Sequence, residues 1–255
     1  MTVVKAKKHF GQHFLNDDNI AQKIVNSLSG DNQNVMEIGP GMGVLTKHLL
    51  ERENIRLKLI EIDEESVEYL NDKFPNMKEN TFQADFLKAR LDEYFPDTFS
   101  IIGNFPYNIS SQILFRVLDY RGLVNEVVGM FQKEVAVRIA APPGNKEYGI
   151  LSVLLQAYYS IELLFTVSEH VFIPPPKVKS AVIRLKRNDV QTLDCDEDLF
   201  FKVVKAGFNQ RRKTLRNSLS PLGFNKEILA DDIFSKRAEQ LSVQDFTSIV
   251  NRMKL

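Results

Sequence analysis

The chain reads as an α/β protein with a doubly wound sheet, followed by a small helical domain. Three observations predict this. Apolar strand-like runs alternate with helical stretches from about residue 17 to about residue 141. The first of these runs ends in a glycine loop that opens directly into a helix. From Asn188 to Glu197 the composition turns polar and acidic, and the remainder of the chain is helix-rich and short. The domain boundary is placed there, giving domains over residues 1–187 and 188–255.

Taken in order, residues 17–28 form an amphipathic helix with Asn16, Asp17 and Asp18 as cap candidates. Val35–Ile38 is the first strand, Gly39-Pro40-Gly41-Met42-Gly43 the loop, and Val44–Leu50 the helix after it. Arg56–Asp63 and Thr81–Phe86 are strands that end on acids. Phe99–Gly103 is a buried strand bounded by a turn. Glu126–Phe131 is a fifth strand and Lys133–Ala141 its helix, after which Pro142-Pro143-Gly144 breaks the chain. Tyr148–Gln156 is helical, a sixth strand lies within 157–167, and Lys179–Lys186 is a seventh. Beyond the boundary, helices are expected over Leu199–Phe208, Arg211–Leu219, Lys226–Ala230 and Val243–Met253, the last capped by Ser242. So short a region cannot build much core alone, so it is expected to pack against the first domain and help form a basic cleft.

Asn104-Phe105-Pro106-Tyr107 carries the most specific chemistry. The Asn side-chain oxygen and a main-chain carbonyl before or at the proline can both accept N–H bonds, and the Tyr face can stack on a base. The exocyclic amine of adenine is a poor nucleophile because its lone pair is delocalised into the ring. Two acceptors holding its hydrogens favour a pyramidal nitrogen and aim the lone pair at an electrophile, which makes this a methyl-transfer site for a base amine.

The glycine spacing, G-x-G-x-G with a proline inside it, differs from the dinucleotide pattern G-x-G-x-x-G. It suits a ligand that needs close backbone approach, such as S-adenosylmethionine, more than a pyrophosphate. An acid about twenty residues past such a loop can accept both hydroxyls of a ribose. From spacing alone, either Glu61 or Asp63 qualifies. Asp85, at the end of the next strand, can accept the amino group of a cofactor adenine.

The chain has 255 residues, 44% of them hydrophobic, with net charge zero and pI about 6.9, so no global field marks a nucleic-acid binder. The charge is local instead. Residues 199–217 carry Lys202, Lys205, Arg211, Arg212, Lys213 and Arg216 with no acid, and the N-terminus carries Lys5, Lys7, Lys8 and His9. Next to a base-amine site, such stretches favour phosphate contacts. The single cysteine, Cys195, excludes a disulfide framework and a CxxC metal site. The four histidines lack ligand spacing, and His48 is expected at the surface. No metal site is expected. With a basic, polar N-terminus and no apolar run of about eighteen residues, a soluble cytoplasmic protein is expected, with no membrane contact.

Phe10–Leu15 (FGQHFL), Glu37–Gly43 (EIGPGMG), Gly103–Ser110 (GNFPYNIS), Phe172–Val178 (FIPPPKV) and Phe208–Asn217 (FNQRRKTLRN) together closely resemble the small-subunit ribosomal RNA adenine dimethyltransferases. The resemblance runs from about residue 5 to the C-terminus. It implies a Rossmann-like seven-stranded methyltransferase sheet, six strands parallel and one reversed, with a C-terminal helical RNA-binding domain. It implies that methyl groups pass from S-adenosylmethionine to the N6 amines of two adjacent adenosines in the 3′-terminal hairpin of that RNA. The partner is then small-subunit rRNA within the small ribosomal subunit, the role is in ribosome biogenesis, and the enzyme is a monomer.

Position by position, the resemblance puts His13 and Leu15 on the cofactor's methionine side. Gly39 and Gly41 fall in the loop, Glu61 on the ribose, Asp85 on the cofactor adenine, and Asn104 between cofactor and target amine. Pro106 shapes the catalytic turn, and Tyr107 and Phe172 sandwich the flipped base, the prolines stiffening the loop that presents Phe172. From the local charge, Arg211, Arg212, Lys213 and Arg216 are the expected RNA contacts. Two positions depart from the pattern. Some members carry Asn at His13, so only a backbone contact there is common to all. Leu is common at Phe105, a change of packing more than chemistry. Two rival readings remain: a large-subunit RNA adenine dimethyltransferase of the resistance type, disfavoured by FGQHFL and NQRRKT, and a ribosome-assembly binding factor with catalysis secondary.

Overall fold

The computed structural model describes residues 4–31 and 33–253; the side chain of Lys8, one of the N-terminal cations, lies outside the described residues. A short strand β1 (Phe14–Leu15) precedes helix α1 (Asp18–Val25), which starts where Asp17 accepts a 3.0 Å bond from the Ile20 N–H. Strands and helices then alternate: β2 (Asn34–Ile38), α2 (Val44–Leu50), β3 (Arg56–Glu61), α3 (Glu64–Lys73), β4 (Thr81–Gln83), β5 (Phe99–Asn104), α4 (Ser110–Asp119), β6 (Val124–Gln132) and α5 (Lys133–Ala140). After α6 (Ile150–Gln156) come β7 (Tyr159–Val167), β8 (Phe172–Ile173) and β9 (Ser180–Arg187).

Seven strands form one sheet in the order β4-β3-β2-β5-β6-β9-β7. The β3/β4, β2/β3, β2/β5 and β5/β6 pairs are parallel, and β9 runs antiparallel to β6. The central strands β2, β5 and β6 are buried along nearly their whole length, which is why they read as near-continuous apolar runs. The order reverses beside β2, so the loops after β2 and β5 diverge there and open the crevice in which such sheets bind ligands. The resemblance's seven-stranded methyltransferase sheet is therefore observed.

One pairing has no local signature in the sequence. Strands β1 and β8 pair antiparallel as a separate two-stranded ladder, with Leu15 opposite Phe172 and Phe14 opposite Ile173. It ties the N-terminal segment to the loop before β9.

The chain clusters into two compact units, one comprising residues up to Ala136 with Ile161–Arg187, the other Val137–Ser160 with the residues from Asn188 onward. The second unit thus includes α6 as well as α7 (Glu197–Asn209), α8 (Leu215–Leu219), α9 (Lys226–Leu229) and α10 (Val243–Arg252). Its core joins Tyr148, Phe208 and Phe246, with ring centroids 6.1 and 6.2 Å apart along the chain of contacts. Ser242 and Asp245 form a reciprocal capping box on α10. The helix expected over Arg211–Leu219 is shorter than the sequence suggested. The Lys213 N–H bonds the Gln210 carbonyl at 2.7 Å, so the basic residues occupy a turn and α8 begins only after the extended Thr214.

Candidate active site

The carboxyl ends of β2, β3 and β5 converge on a cavity of about 210 Å³. It is lined by Gly39 and Gly41 from the loop after β2, Glu61 and Ile62 from the end of β3, and Asp85 beyond β4. Asn104, Pro106 and Tyr107 come from the end of β5, and the segment His9–Phe14 completes the lining.

The loop depends on glycine. Gly39, Gly41 and Gly43 all have positive φ (63°, 53° and 71°), and a Cβ on Gly41 would lie 2.8 Å from the Phe14 ring. Nothing lies within 4 Å of a Cβ built on Gly39, so its backbone faces open space.

The two acids at the end of β3 have different surroundings. The Glu61 carboxylate accepts the Gly41 N–H at 3.1 Å and the Asp63 N–H at 3.0 Å, and it lines the cavity. Burial pushes its carboxyl above the usual range, against these two bonds. The Asp63 carboxylate is turned to the N-terminal segment. Lys7 Nζ lies 2.5 Å from it, Ser66 Oγ 3.0 Å and Gln12 Nε2 3.4 Å. Burial alone would raise Asp63, but bonds from Lys7, Ser66 and Gln12 outweigh it and hold the carboxyl below its ordinary value. Spacing left both acids open; only Glu61 faces the cavity.

A third acid lies deeper. Glu37, 1% exposed, accepts a 2.6 Å bond from Thr46 Oγ1. Burial pushes it up to about 8, the Thr46 bond opposes this, and the Glu61 charge adds to it. Asp85 is half-buried and accepts the Leu87 N–H at 2.9 Å, fixing the turn that carries it to the cavity.

Asn104 is oriented by one bond: its Nδ2 donates to the His13 carbonyl at 2.8 Å. With the amide nitrogen engaged there, Oδ1 is the acceptor it presents to the cavity. The Pro106 carbonyl accepts the Ile109 N–H at 3.2 Å. The Tyr107 hydroxyl lies 2.5 Å from Ser180 Oγ, and Ser180 is fully buried at the start of β9. Burial raises the Tyr107 phenol above its ordinary value against that bond. The His13 ring stacks on Tyr107 at 5.5 Å and 28°, and its Nδ1 lies 2.8 Å from the Pro174 carbonyl. Gly11, with φ of 65°, brings the N-terminal segment close enough that a Cβ would meet Asn108 Oδ1 at 2.5 Å.

Two expected site side chains lie elsewhere. Phe172 is 2% exposed and Leu15 3% exposed, both in the apolar core under the sheet. Neither lines the cavity. Their pairing explains this: facing residues in the β1/β8 ladder turn inward together, and the next residue, Ile173, turns out and is 56% exposed. His48, expected at the surface, is buried between Asp18 (2.9 Å) and Glu51 (3.2 Å).

The basic turn divides in the same way. Arg211 donates to the Lys146 and Tyr148 carbonyls, and Arg216 to those of Leu229 (2.8 Å) and Ala230 (3.3 Å). All four cations are exposed, and Arg212 and Lys213 differ in making no such side-chain bond among the described residues. The sequence did not point to Ser180, offered Lys7 as a phosphate contact and not as the partner of Asp63, and gave Gln12 no role outside its motif, because each acts through a partner distant in the chain. Among the described residues, no group of three or more His, Cys, Asp or Glu is arranged to hold a metal, and no helix is long and apolar enough to cross a membrane.

Residues 3–255 match the family model described as ribosomal RNA adenine dimethylase. Similar relatives include a ribosomal RNA small subunit methyltransferase A from Cytophaga hutchinsonii, 62% identical over 99% of each chain. Another of that name from Flavobacterium johnsoniae is 55% identical over 100% of this chain and 98% of its own. A solved dimethyladenosine transferase from Plasmodium falciparum superposes with TM-score 0.81 at 25% identity, covering 95% of this chain and 98% of that one. The 23S rRNA methyltransferase ErmE shares the fold, with TM-score 0.70 at 24% identity over 93% of this chain and 99% of its own. The chain belongs to the ribosomal RNA adenine dimethylase family.

Proposed function

We propose that this methyltransferase dimethylates the N6 amines of two adjacent adenosines in the 3′-terminal hairpin of small-subunit rRNA, using S-adenosylmethionine. The observation that carries the reading is the Asn104 amide, whose nitrogen is engaged by the His13 carbonyl so that Oδ1 is presented to the cavity. The full-length relatives at 52–62% identity, all named for the small subunit, support the substrate.

The glycine loop, Glu61 and Asp85 fit the methyl donor. Gly39 has open space over its backbone, Glu61 offers a carboxylate for ribose hydroxyls, and Asp85 offers one for an adenine amine. His13 contributes at the methionine end through its backbone, and Leu15 supports the strand beside it. Bound S-adenosylmethionine supplies an electrophilic methyl group.

The protein's own residues position the nucleophile. Asn104 Oδ1 accepts one N6 hydrogen. The Pro106 carbonyl already accepts the Ile109 N–H, so the Phe105 carbonyl just before the proline is assigned the second. Asn104 is no base at neutral pH and acts by orientation and hydrogen bonding. Attack moves the amine lone pair onto the methyl carbon as the carbon–sulfur bond breaks, and the acidic methylated ammonium then gives its proton to solvent. Extruding a paired or stacked adenosine costs a few kcal/mol. Tyr107, held by Ser180, offsets this by stacking at about 1–3 kcal/mol. Phe172 acts as the second wall only if the β1/β8 ladder moves; in the geometry described it is buried in the apolar core.

Residues 1–187 form the methyltransferase domain in this reading and 188–255 the RNA-binding domain, with Arg212 and Lys213 as its free phosphate contacts. The protein acts as a cytoplasmic monomer on rRNA within the small subunit. Asn104→Ala should retain S-adenosylmethionine binding and lose about 10²–10³ in turnover, as when one transition-state hydrogen bond is removed. Calorimetric cofactor binding and single-turnover methyl transfer measure the two. Near-normal turnover would remove Asn104 from its role.

A further inference from the structure

Four large apolar side chains stand exposed among the described residues, Ile62, Leu163, Ile173 and Val178. Ile62 lines the cavity already described. Ile173 (56% exposed) closes β8, and Val178 (42%) lies in the short loop that leads from it to β9. The loop also presents Lys177 and Lys179 to solvent. Three consecutive prolines, Pro174 to Pro176, restrict its backbone.

Both ends of this loop are fastened to the candidate base site. Near its start, the Pro174 carbonyl lies 2.8 Å from His13 Nδ1, and His13 stacks on Tyr107. At its end, Ser180 Oγ meets the Tyr107 hydroxyl at 2.5 Å, and the Lys179 carbonyl accepts the Lys133 N–H at 2.9 Å. Glu169 and His170 lie 3.7 Å apart just before the ladder, and the Glu169 carboxylate also interacts electrostatically with Lys179. The exposed face of the loop is therefore cationic and apolar, and it adjoins Tyr107.

We propose that the Ile173–Lys179 loop is a second RNA contact, in which Ile173 wedges against the bases left unstacked beside the extruded adenosine while Lys177 and Lys179 take phosphates of the same strand. The inference rests on the adenosine-methylating reading above. Apolar side chains inserted beside a base step hold it open, and lysines beside them compensate the backbone charge. Two aliphatic side chains beside two lysines form too small an apolar patch for the buried centre of a protein interface. They suit a nucleic-acid strand whose one base has been withdrawn, and the continuity with Tyr107 specifies which strand.

The test uses small ribosomal subunits lacking dimethyladenosine, with wild type, Ile173→Ser and the double variant Lys177→Gln/Lys179→Gln compared for methyl transfer and for salt-dependent subunit binding. Ile173→Ser should lower kcat/KM about tenfold. The double variant should reduce the log–log salt slope by about 0.7–0.9 per contact. S-adenosylmethionine affinity should stay at the wild-type value in both, which also verifies folding. A photo-crosslinking benzoylphenylalanine at position 173 should capture rRNA next to the methylated pair. Unchanged kcat/KM and slope, or capture of a ribosomal protein instead of RNA, would overturn the loop's role while leaving the activity standing. A wild-type protein that methylates no subunit would overturn the reading beneath it, and the loop's role with it.

Discussion

The ends of β2, β3 and β5 and the basic turn after α7 are both crowded with polar side chains, yet they use hydrogen bonds in opposite ways. At the strand ends, local bonds orient groups and leave acceptors facing the cavity. Asn104 gives its nitrogen to His13, and Glu61 holds the Gly41 and Asp63 N–H groups while lining the pocket. In the turn all four cations are exposed, but the Arg211 and Arg216 guanidinium groups are engaged by main-chain carbonyls, whereas Arg212 and Lys213 make no such bond among the described residues. A residue's chemistry is set by the hydrogen-bonding capacity its neighbours leave it, and a count of charges along a sequence does not give that capacity.

The largest effect that tests this contrast lies within β3's end. Glu61→Ala should weaken S-adenosylhomocysteine binding by more than about 100-fold, because two hydrogen bonds to a charged group at about 1.5–3 kcal/mol each are lost. Asp63→Asn, which loosens the Lys7, Ser66 and Gln12 contacts but removes no group that faces the cavity, should weaken it by at most about fivefold. Titration calorimetry separates them. Equal losses would mean that both acids serve the ligand.

The next effect is on stability against pH. Glu37 keeps its proton in the folded state up to about 8, whereas the unfolded chain loses it near the ordinary carboxylate value of 4.5. Between those values the folded state binds the extra proton, so stability falls as pH rises, by at most about 1.4 kcal/mol per unit. Asp63 has the opposite sign: its folded value is depressed, so its contribution is present above the ordinary aspartate range and is lost on acidification through the folded value. Denaturant titrations at pH 5.5 and 7.5 should show the decline in wild type and a flatter response in Glu37→Gln. An identical slope in the two proteins would mean that Glu37 ionises normally.

The smallest effects divide the basic turn. Arg211→Gln and Arg216→Gln should each lower Tm by about 2–4 °C through a lost hydrogen bond, and leave the salt slope of RNA binding unchanged. Arg212→Gln and Lys213→Gln should leave Tm unchanged and reduce that slope by about 0.7–0.9 each. The reverse pattern would break the distinction drawn between the two pairs.

What the sequence revealed was local. The G-x-G-x-G loop and the Asn104–Tyr107 turn each lie at the end of one strand, so their positions in the cavity follow from short-range pattern and the rule for strand carboxyl ends. What it hid depends on partners far along the chain. Phe172 and Leu15 are core residues because they face each other across a ladder joining segments about 157 positions apart, a pairing that no local periodicity specifies. Glu61 and Asp63 are two residues apart, and their roles are separated by Gly41 on one carboxylate and by Lys7, Ser66 and Gln12 on the other, of which only Ser66 is close in sequence. His48 looked like a surface residue until α1 supplied Asp18. Arg211 and Arg216 looked free because a carbonyl acceptor leaves no sequence signature.

Methylation of adenine N6 on small-subunit rRNA, the reaction on which every assigned role depends, is open to product analysis. Labelled S-adenosylmethionine would be supplied with small subunits lacking dimethyladenosine, and in parallel with large-subunit RNA and naked DNA, before nucleoside digestion and mass spectrometry. N6,N6-dimethyladenosine should arise in the small-subunit sample alone. Label confined to large-subunit RNA, or tight subunit binding with no label in any sample, would contradict that assignment.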